Sequence, residues 1–267
     1  LVMGMGGSHL AADLMTIFKP DVPLSVYSDY GLPAWSEADL KNHLIILSSY
    51  SGNTEEVLTA FDQVIARRLP AIAIAVGGAL LTRAKAANLP YIQLPATGIQ
   101  PRSALGFSLR ALAKAMGQDD VLRACGALAD DLDPSALEAA GKNLAKEWHD
   151  CVPVLYASRL NQPIVYNWKI KLNETGKIPA FYNIVPELNH NEMNSFDVRE
   201  SSRRLSANFS FLLMKDAADH PQIQKRFAVL HRLYEERGLR VKLIELQGKS
   251  LYHKVLNSLV MADWTAV

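Results

Sequence analysis

The chain has 267 residues, 49% of them hydrophobic and 21% charged, with 28 Lys or Arg against 27 Asp or Glu. That length supports one large or two medium domains, and a net charge of +1 without a long basic run gives nucleic acid no electrostatic footprint. No apolar stretch is long enough for a helical membrane span and no signal peptide is visible, so a soluble, cytoplasmic chain is expected.

In chain order, residues 1–3 read as a buried strand entering Gly4-Met5-Gly6-Gly7-Ser8, with helical periodicity over 9–18. A short strand is predicted over 23–27, a buried strand over 43–48 and a helix over 54–67. Residues 70–76 repeat the strand signature until Gly77-Gly78; a helix over 80–87 and a short strand over 91–94 follow. Pro101 marks a helix entrance, with helical apolar spacing over 102–116. Residues 117–150 read as helical, Asp133-Pro134-Ser135 opening a helix that runs to Trp148. The alternation then restarts, with strands over 152–157, 209–214 and 241–246 and helices over 161–172, 221–237 and 251–262. This pattern predicts an α/β protein in which parallel sheets are flanked by helices on both faces, three layers αβα. Two halves are expected, residues 1–118 and 149–267, joined by a helical bridge over 119–148; a single continuous sheet is the alternative. The chain starts inside a strand and ends inside an apolar helix, so further segments are expected beyond both ends. Cys125 and Cys151 suit neither a disulfide framework nor a thiolate metal site and are expected to be buried thiols.

The densest chemical signal is Ser48-Ser49-Tyr50-Ser51-Gly52-Asn53-Thr54, a hydroxyl loop between a buried strand and a helix. Ser49, Ser51 and Thr54 can present hydroxyls beside the free N–H groups of the helix start, where the helix dipole favours an anion. With no Lys or Arg in the loop, a sugar phosphate held by N–H and O–H donors is the expected guest; helix capping by Asn53 or Thr54 is the alternative. The glycine loop lacks the Gly-x-Gly-x-x-Gly dinucleotide fingerprint, because His9 stands in the third glycine's place. Neither a Walker loop nor a Gly-x-Ser-x-Gly elbow occurs.

Three further positions can carry chemistry. Arg102, after Pro101, can stabilise a developing enediolate oxygen or contact a phosphate; a surface arginine is the alternative. Glu174, before Gly176, can move a proton between adjacent carbons if burial raises its pKa, or it can be a solvated glutamate beside Lys171 or Lys177. His190, in Pro186-Glu187-Leu188-Asn189-His190-Asn191-Glu192, can shuttle a proton to a sugar ring oxygen, or can cap a helix or pack in the core. A zinc site there lacks a paired His or Cys. The basic cluster over 199–204, interrupted by Glu200, reads as solvated surface or a local anion contact.

These segments together resemble the archaeal-type bifunctional phosphoglucose/phosphomannose isomerases of the sugar isomerase (SIS) domain superfamily. The resemblance implies two SIS domains, a homodimer, no metal or organic cofactor, and interconversion of glucose 6-phosphate or mannose 6-phosphate with fructose 6-phosphate. Carried over by motif, Ser49, Ser51 and Thr54 would bind phosphate, and Gly7, Ser8 and Pro101 would line the substrate site. Arg102 would stabilise the cis-enediol, and Glu174 would be the base between C2 and C1. His190, supplied by the partner subunit, would assist ring opening. Family members continue into a tail with an active-site threonine and lysine, which lies beyond Val267. A phosphosugar-sensing SIS module and an aminosugar-phosphate isomerase are the alternatives.

Overall fold

A computed structural model describes all residues, Leu1–Val267, which fall into two compact units, Leu1–Ala129 and Asp130–Val267. The division lies within the stretch expected to act as a bridge.

In the first unit the elements run β1 (Val2–Met3), α1 (Leu10–Phe18), β2 (Val26–Tyr27), α2 (Glu37–Lys41), β3 (Ile45–Ser48), α3 (Glu55–Arg67), β4 (Ala71–Ala75), α4 (Gly78–Ala86), β5 (Tyr91–Gln93), α5 (Leu105–Ala115) and α6 (Asp119–Asp131), the last crossing the division. The five strands form one parallel sheet in the order β2-β1-β3-β4-β5. All four residues of β3 are buried, as befits a central strand covered on both faces. Leu1, Met3, Ile45 and Leu47 pack on Val57, Phe61 and Val64 of α3 and on Leu80 and Leu81 of α4. Val2 and Ile46 point to the opposite side of the pleat and are equally buried.

The second unit runs α7 (Glu138–Glu147), β6 (Val152–Ser158), α8 (Gln162–Glu174), β7 (Phe181–Val185), α9 (Glu192–Ser195), α10 (Arg203–Ser206), β8 (Phe209–Lys215), α11 (Pro221–Glu236), β9 (Arg240–Glu245) and α12 (Leu251–Ala266). Its strands form a second parallel sheet, β7-β6-β8-β9. Tyr156, Phe211, Leu213, Phe227 and Tyr234 fill the core between sheet and α11. Helix α12 seals the other side: Trp168 donates to Ser258 Oγ at 3.0 Å, and a Cβ at Gly141 of α7 would lie 2.4 Å from the Cβ of Trp264.

Two separate sheets form, not one continuous sheet. The helix expected over 102–116 starts only at Leu105, because Pro101–Ser103 turn on themselves, with Ser103 N bonded to Gln100 O at 2.9 Å. Strand β7 was not anticipated: it is a half-exposed edge whose Asn183 breaks the apolar run. Both cysteines are free; Cys151 is buried, but Cys125 is only half-buried. No helix is long and apolar enough to cross a membrane.

Candidate active site

In the first sheet the chain leaves β1 for β2 on one side and returns to β3 on the other, so the loops after β1 and β3 diverge at their carboxyl ends. In open α/β sheets that divergence is the ligand crevice. The sequence has placed its glycine loop and its hydroxyl loop on its two sides. They are tied together: Ser48 Oγ donates to Ser8 O at 2.7 Å, and Tyr50 N donates to Ser8 Oγ at 2.9 Å. A Cβ at Gly7 would lie 2.9 Å from both Arg102 N and Pro101 Cβ, so glycine is what lets the Pro101-Arg102 turn close against this loop. Gly7, Ser8, Pro101, Arg102 and the hydroxyl loop therefore gather at one place.

Within the hydroxyl loop the three expected residues differ. Ser49 is wholly buried; its Oγ accepts from Gly52 N at 3.1 Å and Thr54 N at 3.4 Å and lies 2.7 Å from Thr54 Oγ1. Ser51 is exposed, and its Oγ accepts from Asn53 N at 3.2 Å. Thr54 holds the N-cap position of α3, yet its side chain makes no capping bond, whereas Ser36 caps α2 by accepting from Asp39 N. Asn53 is no cap for α3 either, because its Oδ1 accepts from Ala79 N at the start of α4 at 2.9 Å. The capping alternative thus fails for both residues. The leading N–H groups of α3 keep their donors, and the positive end of the helix dipole faces the same space. Glu55 and Glu56 oppose that field from the same turn, and Glu55 accepts from Tyr30 OH at 3.2 Å.

The loop holds its shape through two glycines. Gly52 has φ +75°, and a Cβ there would sit 1.9 Å from Gly77 O; Gly78 has φ +70°, with a Cβ 2.4 Å from Ser51 O. Both need a left-handed backbone and backbone-to-backbone approach at once.

In the second unit Glu174 is the last residue of α8, two residues beyond the predicted helix end, and is exposed, so this unit does not supply the burial on which its role as a base is conditioned. Asn173 braces the turn after it, donating to Ile178 O at 3.0 Å, while Lys171 is buried and paired with Asp263 of α12. His190 ends a 3-10 turn, Glu187–His190, and is exposed, so the core alternative does not hold. The residue without an anticipated role is Glu192. Its carboxylate accepts from Tyr156 OH and from Asn183 Nδ2 at 2.5 Å, pinning the His190 segment to β6 and β7. Burial, reinforced by Tyr234 and Glu192, pushes the Tyr156 phenol far above its ordinary pKa, so it remains a donor. A tyrosine in mid-strand and a glutamate two residues after the histidine were the available signals.

The crevice of the second sheet, between β6 and β8, is filled differently. Asn161 donates to Ser158 Oγ, Asp216 and Asp219, all four buried, and partly buried Lys254 of α12 reaches Asp216 at 2.6 Å. Burial pushes Asp219 above the usual carboxylate value. At Asp216 burial acts the same way, but donors from Lys254, the Ala218 N–H and Asn161 outweigh it and leave the pKa low. Two carboxylates make this crevice hostile to a phosphate. No group of three or more His, Cys, Asp or Glu side chains is placed to hold a metal ion.

Two parallel αβα units, one with a hydroxyl cradle at its crevice, define a tandem SIS-domain protein. Residues 137–267 match the family described as bacterial phospho-glucose isomerase C-terminal SIS domain. The bifunctional phosphoglucose/phosphomannose isomerase of Aquifex aeolicus is 32% identical over 270 residues, covering 99% of this chain and 81% of the relative. The enzyme of the same name from Caldicellulosiruptor bescii is 30% identical over 287 residues, covering 100% of this chain and 82% of its own. A crystal structure of a hypothetical protein from Thermus thermophilus shares the fold, with TM-score 0.73 and 18% identity over 99% of this chain and 76% of that one. The chain belongs to the bifunctional phosphoglucose/phosphomannose isomerase family, among the SIS-domain phosphosugar isomerases.

Proposed function

We propose that the protein interconverts glucose 6-phosphate, mannose 6-phosphate and fructose 6-phosphate through a cis-enediol. The observation that carries this reading is the α3 cradle: a helix start whose N-cap hydroxyl and leading N–H groups are left without a capping bond, at the crevice of the first sheet. A phosphate dianion suits those donors and the helix dipole together. Ser51, Thr54 and Ser8 would supply hydroxyls, with Ser49 holding the loop from behind and Gly7 and Pro101 lining the sugar.

With the aldose bound, Glu174 takes the C2 proton as the carbonyl electrons move to O1; a proton passes from the C2 hydroxyl to O1 by way of the cis-enediol, and the same carboxyl group returns its proton to C1 as the C2 carbonyl forms, giving the ketose. Arg102 offsets the negative oxygen in between. At ring opening His190 relays the proton of the anomeric hydroxyl to the ring oxygen as the C1–O5 bond breaks, and its exposure on its own chain supports delivery from the partner subunit of a homodimer. Each step is proton transfer and needs no redox centre. Mannose 6-phosphate is reached when the proton returns to the opposite face of C2.

Incubation of full-length protein with fructose 6-phosphate, with products resolved by NMR, tests the reading. Both aldose phosphates are expected. Tight binding with no product would replace the isomerase by a phosphosugar sensor, and turnover of glucosamine 6-phosphate alone would replace it by an aminosugar enzyme.

A further inference from the structure

The basic cluster over 199–204 has no part in the proposed reaction, and one exposed member, Arg203, borders a concavity of the second unit. It lines a cavity of about 280 Å³ together with Arg237, the C-cap residue of α11, and Arg240, the first residue of β9. Phe209 and Leu239 supply apolar wall, and Gly238, with φ +71° and nothing within 4 Å of where a Cβ would stand, leaves room at the mouth.

The three guanidinium groups are not equivalently matched. Arg237 is bonded to Asp197 and donates to Met193 O at 3.2 Å. Arg240 reaches Cys151 Sγ, and no carboxylate pairs with either Arg240 or Arg203. Like charges around one concavity repel. The three arginines come from three elements and border one concavity, Arg203 and Arg240 being exposed. Planar guanidinium forks match the oxygens of a phosphate, and two unneutralised cations match its two charges.

The geometry points to a second oxyanion site in this unit, a cavity of Arg203, Arg237 and Arg240 that takes a small phosphate-bearing anion. The size lies just below the usual range for ligand pockets, which suits pyrophosphate or a small organic phosphate. The site lies at the amino-terminal ends of β8 and β9, the opposite edge of the sheet from the loop that carries His190. It stands independently of the isomerase reading.

Calorimetric titration of the full chain with pyrophosphate, and separately with citrate, tests the assignment. Pyrophosphate is expected to occupy a site that survives Thr54→Val and weakens at least about tenfold in Arg203→Ser/Arg240→Ser. Arg203→Lys should retain part of the affinity, because the charge is kept and the fork is lost. No heat at millimolar pyrophosphate, or an affinity unchanged in the double variant, would overturn the site. Citrate binding as tightly as pyrophosphate would overturn its phosphate selectivity. Should the double variant fail to fold, Arg203→Ser alone is decisive: Arg203 is exposed, and unchanged affinity there also overturns the proposal.

Discussion

Thr54 sits where a helix cap belongs and does not cap. Replacing it by Val deletes no cap but removes the 2.7 Å partner of buried Ser49 Oγ, so a loss of about 1 kcal/mol is expected in urea unfolding. If the hydroxyl bonds a charged phosphate, the same change removes about 1.5–3 kcal/mol of binding, a KM raised roughly tenfold or more at similar kcat. An unchanged KM would confine the Thr54 hydroxyl to its bond with Ser49 and overturn the phosphate role. Gly52 predicts a larger loss of stability. Gly52→Ala forces a Cβ onto Gly77 O in a left-handed backbone, and should cost at least about 2 kcal/mol by chemical unfolding while loosening phosphate binding. The hydroxyl loop was legible because Ser, Gly, Asn and Thr crowd a strand-to-helix junction. That Ser49 faces inward was not legible, because its orientation is set by Gly52 N and Thr54 N across the turn.

Between elements, two buried polar ties fix the second unit. Glu192→Ala would leave Tyr156 OH and the Asn183 amide without their acceptor, costing about 2–3 kcal/mol in unfolding free energy and lowering kcat by releasing the His190 segment. Lys254→Met would leave Asp216 without its cation, a loss of about 3–5 kcal/mol. The pH dependence has a definite sign. Asp216 has a lowered folded-state pKa, so its stabilisation is present above the unfolded value of about 3.9 and is lost as pH falls through the lower folded value. Without Lys254 the folded pKa rises, and urea midpoints should begin to fall at higher pH than in the wild type. The central strands β6 and β8 were readable as continuous apolar runs; β7 was not, since an edge strand tolerates Asn183 and a half-exposed face. The late start of α5 escaped for a different reason: Pro101 suits a turn as well as a helix entrance, and only the close approach of Gly7 decides between them.

Across the molecule, one topology is used twice with different crevices. Both sheets diverge at their carboxyl ends beside the first strand of the unit, but the first presents N–H and O–H donors and the second a Lys254–Asp216–Asp219–Asn161 network. The first crevice therefore suits an anion and the second does not; the roles of Glu174 and His190 belong to the proposed reaction. The repetition of strand and helix patterns was visible in the chain; the unequal chemistry of the two crevices was not, because Asp216, Asp219 and Asn161 resemble ordinary loop residues until folding buries them. The most direct test of single-base isomerisation is NMR of fructose 6-phosphate with full-length protein in D2O. Deuterium should appear at C2 of the glucose 6-phosphate formed, and Glu174→Gln should still bind fructose 6-phosphate while forming no product. Product formation by Glu174→Gln at the wild-type rate, or binding by the wild type without product or exchange, would contradict the account.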